Sequence, residues 1–180
     1  MEKYFWGGFN FAIIVIAFVA LCIWLYIEKI KPYFLKKIWN VPYVYYQPNV
    51  ENCGDCAIRA FTKLFGATWG EAFDIITIGA KIRHLNPNCE TVLIDLLEEN
   101  GYKALYIGGH EYTFSRVIKK IGNLSGLGNK PFGMISNGHM CVGQDGKLYD
   151  SWDSRNEKCT WLIVPDSVVI KDSIIRETLK

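Results

Sequence analysis

The chain has little excess of either charge. Its 20 Lys and Arg against 18 Asp and Glu leave a formal net charge of +2 over 180 residues. Part of that excess belongs to one cluster, Lys29, Lys31, Lys36 and Lys37, so the remainder is nearly neutral. That excludes the basic patch on which nucleic-acid binding depends, and no nucleic acid is expected as a partner. There is no internal repeat and no low-complexity segment. A complete disulfide framework is missing as well. Beyond Cys22 the thiols are Cys53, Cys56, Cys89, Cys141 and Cys159, an odd set at irregular spacings that fits reduced cysteines in a reducing compartment.

One stretch lacks formal charge altogether. From Phe5 to Ile27 the residues are almost all apolar, over a length that matches the roughly 20 needed for a helix to cross a bilayer core. Tyr4, Phe5, Trp6, Trp24 and Tyr26 bracket it as interfacial aromatics. A cleaved signal peptide fits less well, because the run is long and no small-x-small site closes it. The lysines on its C-terminal side place the rest of the chain in the cytoplasm by the positive-inside rule. Pro32 ends the helix, and Tyr33, Phe34, Ile38 and Trp39 among lysines read as a stretch along the headgroups. The expectation is therefore a single-pass membrane protein, with an anchor over 1–30, a juxtamembrane tether over 31–46 and one domain over 47–180.

The domain reads as helices followed by strands. Between Trp39 and Asn52, VPYVYYQPNVEN is an extended lead-in segment. A helix is predicted over Cys56–Phe65, with Asp55 able to cap it and Gly66 to end it in a left-handed turn. Thr68 and Glu71 have capping-box spacing and open a second helix that turns Ala72, Phe73, Ile75, Ile76 and Ile78 to the core. A third is expected over Cys89–Glu99, capped by Asn88 and stopped by Gly101, and a short fourth over Thr113–Ile121. Strands are predicted over Tyr102–Ile107, Phe132–Ser136, His139–Val142, Lys147–Asp150 and Thr160–Val164. This is an α+β arrangement with N-terminal helices packed on a C-terminal antiparallel sheet. Asp145-Gly146 is a two-residue hairpin signal that pairs Gln144 with Lys147, Val142 with Tyr149, Cys141 with Asp150 and His139 with Trp152.

That register has chemical consequences. His139, Cys141, Asp150 and Trp152 share one face, and Asp150 is diagonal to His139, within reach of a carboxylate–imidazole hydrogen bond. A base with its orienter needs a nucleophile. Cys56 stands at a helix start, where the N-terminus favours a thiolate. Asp55 beside it opposes that charge, and Arg59, four residues on, can pair with Asp55.

The run Asn52-Cys53-Gly54-Asp55-Cys56-Ala57, with Ile58-Arg59-Ala60-Phe61 after it, resembles the nucleophile segment of papain-like cysteine peptidases. Gly138-His139-Met140-Cys141-Val142 and the following Asp145-Gly146-Lys147-Leu148-Tyr149-Asp150 resemble the His strand and Asp of the same clan. The likeness is to its compact members, the peptidase domains of bacteriocin exporters and phage-encoded papain-like proteins, in which D-C-x-x-R-A precedes a helix and a tryptophan-containing second helix follows, as Trp69 provides here. It spans roughly Gln47 to Asp153. The resemblance implies a papain-like fold and a cysteine peptidase or amidohydrolase acting on a peptide or protein substrate without a cofactor. Cys56 would be the nucleophile, His139 the general base and acid, and Asp150 the residue fixing the imidazole tautomer. The backbone N–H of Cys56 would form half of the oxyanion hole. The glutamine that usually completes it has two alternatives here, Gln47 and Asn52, and Cys53 is the rival thiol, disfavoured because only Cys56 sits on the helix start.

Two other functions compete. A papain-like shell without turnover would be a binding or assembly module. Cys53, Cys56, His139 and Cys141 are also four ligand types that a structural zinc accepts, although a C-x-x-C pair ordinarily occupies a knuckle rather than a helix. Trp69 and Trp152 read as packing residues, and His84 and His110 as exposed loop residues.

Overall fold

The structure is a computed structural model that describes residues 5–31, 40–47, 54–108, 112–122, 124, 127, 129–168 and 172–179, with side chains in the first helix from Val15 onward. It divides into two units, Met1–Asn40 and Val41–Lys180. The first carries α1 (Phe5–Leu25), which continues into a π-helical turn, Tyr26–Ile30.

Among the described residues no helix is long and apolar enough to cross a membrane. The expected anchor over 1–30, and with it the single-pass topology and the cytoplasmic placement, is not upheld.

The second unit holds β1 (Tyr43–Tyr45), α2 (Cys56–Phe65), α3 (Trp69–Arg83), α4 (Glu90–Glu99), β2 (Tyr102–Tyr106), α5 (Phe114–Ile121), β3 (Phe132–Ser136), β4 (His139–Gln144), β5 (Lys147–Asp150), β6 (Trp161–Pro165) and α6 (Asp172–Leu179). The class is α+β, but the sheet is mixed rather than antiparallel. Its order is β1-β5-β4-β3-β6-β2, and β1 lies parallel to β5, with Tyr43 opposite Leu148 and Tyr45 opposite Asp150. The lead-in segment thus supplies an edge strand, and Val41 at the start of this unit is buried.

Local chemistry explains the elements that form as expected. At α3 the Thr68 side chain accepts from the Glu71 backbone while the Glu71 carboxylate accepts from the Thr68 N–H at 2.7 Å, a reciprocal cap. Gly66 ends α2 at φ 65°. Asp145 and Gly146, at φ 51° and 69°, make the primed turn that sets Gln144 opposite Lys147 and Val142 opposite Tyr149. Other details differ. Asp55 makes no capping bond to α2, and Cys89, not Asn88, is the cap residue of α4, without a side-chain bond.

Helices cover both faces of the sheet, where the sequence implied one. Ile135, Met140, Val142 and Ile163 meet α2, α3 and α4, whereas Met134, Cys141, Leu162 and Val164 meet α5 and α6. Double burial explains why β3 is buried at every position and carries no polar alternation. It also re-aims α3. Ala72, Ile76 and Ala80 face inward, while Phe73 and Ile78, expected in the core, are exposed. Small residues let α3 approach α4 closely: a methyl group on Gly79 would meet Leu96 Cδ2 at 2.6 Å.

Gly143 in β4 is fixed by the same packing. A methyl group there would meet Phe132 Cε2 at 2.6 Å and Ile118 Cγ1 at 3.0 Å, and both side chains are fully buried with nowhere to retreat. Gly143→Ala is expected to destabilise the domain by about 1–3 kcal/mol in urea denaturation, through overpacking. An unchanged midpoint would show that this layer is loosely packed.

Candidate active site

The site assembles where the start of α2 meets the start of β4. Cys56 is the first residue of α2, and His139 opens β4 after the two-residue Asn137-Gly138 turn, with Gly138 at φ 81°. α2 packs along β4 through Ala57, Ala60 and Phe61 against Met140 and Val142, which brings the thiol to the imidazole. Cys56 and His139 line the same cleft and are close enough for each to shift the pKa of the other.

His139 Nε2 lies 2.6 Å from Asp150 Oδ2, so Nδ1 is the ring nitrogen left for the thiol. The carboxylate is held from several directions. Ser154 Oγ donates to Oδ2, and the Ser151 N–H donates to Oδ1 at 2.7 Å. The Asp150 backbone is pinned by the edge strand, its carbonyl accepting from the Tyr46 N–H at 2.7 Å and from the Tyr43 hydroxyl at 3.3 Å. Trp152 leans over the His139 ring with centroids 4.8 Å apart, and Phe114 lies on it at 6.4 Å. Trp152 is half-exposed and its contact is with the His139 ring rather than with the core.

Behind the thiol lies a buried ion network. Arg59 pairs with Asp55 one helical turn back, and its Nη2 is 3.9 Å from Asp150 Oδ1. Trp69 Nε1 donates to Asp55 Oδ2 at 2.8 Å. Asp55 thus spends its charge on Arg59 and Trp69 rather than opposing the thiolate, which explains why an acidic residue is tolerated beside Cys56. Arg59 and Asp55 are both buried, where unpaired charges would be costly.

The electrostatics follow. Burial pushes the Cys56 thiol up, but the hydrogen bonds from His139 and the Met140 N–H and the positive charges of His139 and Arg59 outweigh it, leaving the pKa below the ordinary thiol value. Burial pushes His139 down, but the hydrogen bonds to Asp150 and Cys56 raise it to about 9. Both shifts favour one species, a thiolate beside an imidazolium. Burial drives Cys141 and Cys159 the other way, raising both thiols and leaving them inert.

In front of the thiol is a cleft of about 140 Å³, lined by Gly54, Cys56, Ala57, Asn88, Glu90, Leu93, Ile135, Ser136, Gly138, His139 and Met140. Gln47 is half-buried and is not among the residues that line this cleft; Asn52, and Cys53 with it, lie outside the described residues. Cys141 is buried in the opposite layer from Met140 and Val142, and no three metal-ligand side chains converge among the described residues. His84 is exposed in a left-handed cap at the end of α3, and His110 is outside the described residues. Sequence reasoning missed Ser154, the Met140 N–H, the reach of Arg59 to Asp150, and Asn88 and Glu90 in the cleft. Only Arg59 had a local signal, its spacing from Asp55. Comparisons with protein-family models, with curated proteins and with solved structures return no match to this chain, so what the site does rests on its geometry.

Proposed function

We propose that the chain is a thiol hydrolase of the papain-like kind, cleaving a peptide or related amide bond through an acyl-enzyme. The observation that carries this is the Cys56–His139–Asp150 alignment at a helix start, facing a cleft. The Cys56 thiolate attacks the amide carbonyl, and the His139 imidazolium gives its proton to the departing amine. Water, deprotonated by His139, then splits the thioester. Asp150 holds the ring so that Nδ1 faces sulfur throughout. The developing oxyanion is placed to take the Cys56 backbone N–H, one of the amide donors a helix start leaves without an intrahelical partner.

The test is alkylation by iodoacetamide followed by intact mass, as a function of pH. Cys56 should react before Cys89, Cys141 and Cys159, with a rate that rises through a pKa below the ordinary thiol value. Turnover of a short-peptide amide library should share that acidic limb and fall again near pH 9, as His139 loses the proton the leaving amine needs. Uniform slow labelling of all thiols would overturn the reading.

A further inference from the structure

The cleft in front of Cys56 has apolar walls and one isolated charge. Ala57, Leu93, Ile135 and Met140 supply the walls. Apart from the Cys56–His139 pair, which is neutral as a whole, Glu90 is the only ionisable residue among the described residues that line it. The carboxylate is fixed in place: Trp161 Nε1 donates to Glu90 Oε1 at 2.6 Å, and the residue is half-buried in the first turn of α4. Among the described residues lining the cleft, no cationic side chain answers it. Arg59, the nearest cation to the thiol, is buried behind Cys56 between Asp55 and Asp150 and does not line the cleft.

A carboxylate held at an apolar cleft has a consequence for recognition. Low-dielectric walls strengthen its field, and a cation that reaches it gains more than it would on an open surface. The side chains that match both the walls and the charge are long and amphipathic, with a methylene stem and a cationic head. The volume, about 140 Å³, holds a side chain of several non-hydrogen atoms.

We infer that Glu90 makes the enzyme selective for amides flanked by an aliphatic cation, a lysine-like ammonium or arginine-like guanidinium, whose stem lies on Leu93 and Met140. This rests on the proposed hydrolase reading. Glu90 acts here as a specificity residue and takes no part in bond making.

Two measurements separate the inference from that reading. The first needs no turnover: modification of Cys56 by a cationic and an anionic methanethiosulfonate, 2-(trimethylammonio)ethyl and 2-sulfonatoethyl, at low salt. Glu90→Gln, which can still accept from Trp161, should reduce the cation-to-anion rate ratio about fivefold or more, and Glu90→Asp should keep most of the preference. The second compares kcat/KM for peptide amides differing only by lysine against its neutral isostere norleucine. A wild-type preference of about tenfold or more, lost in Glu90→Gln, supports the inference. Equal kcat/KM for the two peptides overturns the selectivity while leaving the hydrolase intact. Absence of all turnover with a charge-dependent reagent ratio sinks the hydrolase but keeps the cation site, and an unchanged ratio in Glu90→Gln sinks the site itself.

Discussion

His139→Ala is expected to lower kcat/KM for amide hydrolysis by about 10³- to 10⁴-fold. The size follows from its two roles, since one residue both stabilises the thiolate and protonates the leaving group, and loss of a positioned acid–base group costs typically 10²- to 10⁴-fold by itself. The pH dependence separates them. Without the imidazolium, Cys56 keeps the upward push of burial and retains only the Met140 N–H and the charge of Arg59 in opposition. Its alkylation should therefore move to higher pH, and the fall in activity near pH 9, which belongs to His139, should vanish. Asp150→Asn should cost less, because the ring retains Trp152 and Phe114 against its faces while losing the charge that raises its pKa. A His139→Ala protein that alkylates at Cys56 with the wild-type pH profile would show that the thiol does not depend on this imidazole.

Arg59→Met carries the largest expected effect on stability, about 3–5 kcal/mol. The guanidinium is 4% exposed and lies between two carboxylates, Asp55 at 5% and Asp150 at 3%, so there is little water to take over when it is removed. Methionine replaces the volume but not the charge; it leaves the buried Asp55 carboxylate without its cation, and Asp150 with His139 as its remaining one. In urea the midpoint should fall with an unchanged slope, the sign of altered stability rather than altered compactness. Combining Arg59→Met with Asp55→Asn should recover part of the loss, because the stranded charge is gone. A loss under about 1 kcal/mol would mean that the network is wetter than its burial implies. The same substitution should slow Cys56 alkylation at neutral pH, since Arg59 is one of the charges favouring the thiolate.

These effects also mark where sequence reading stops. The α2 helix, the Thr68–Glu71 cap and the Asp145-Gly146 hairpin are written in residues a few positions apart, and each forms with the bounds or bonds that its local chemistry dictates. β1 was invisible. A three-residue strand that pairs in parallel with β5 has no partner nearby in the chain to declare it, yet it pins the Asp150 backbone. The inward face of α3 was misjudged for a related reason. Its apolar residues surround the helix, and only the arrival of α4 and α2 decides that Ala72, Ile76 and Ala80 are covered while Phe73 and Ile78 are not. The charge-free N-terminal run was read by composition alone, and among the described residues no helix meets the length and apolarity of a span.

The sequence by itself determined that a thiol opens a helix, that an imidazole and a carboxylate lie diagonally on one hairpin, and that Arg59 is one turn from Asp55. Such facts depend on helix and strand periodicity, which short stretches encode. Tertiary structure alone decided that α2 lies along β4 so that Cys56 meets His139, that Arg59 reaches Asp150 as well, that Ser154 holds the Asp150 carboxylate while Trp152 lies against the imidazole, and that Glu90 lines the cleft. Those meetings join residues far apart in the chain, and they are fixed by how apolar faces on both sides of the sheet pack together, a property of the whole domain rather than of any segment.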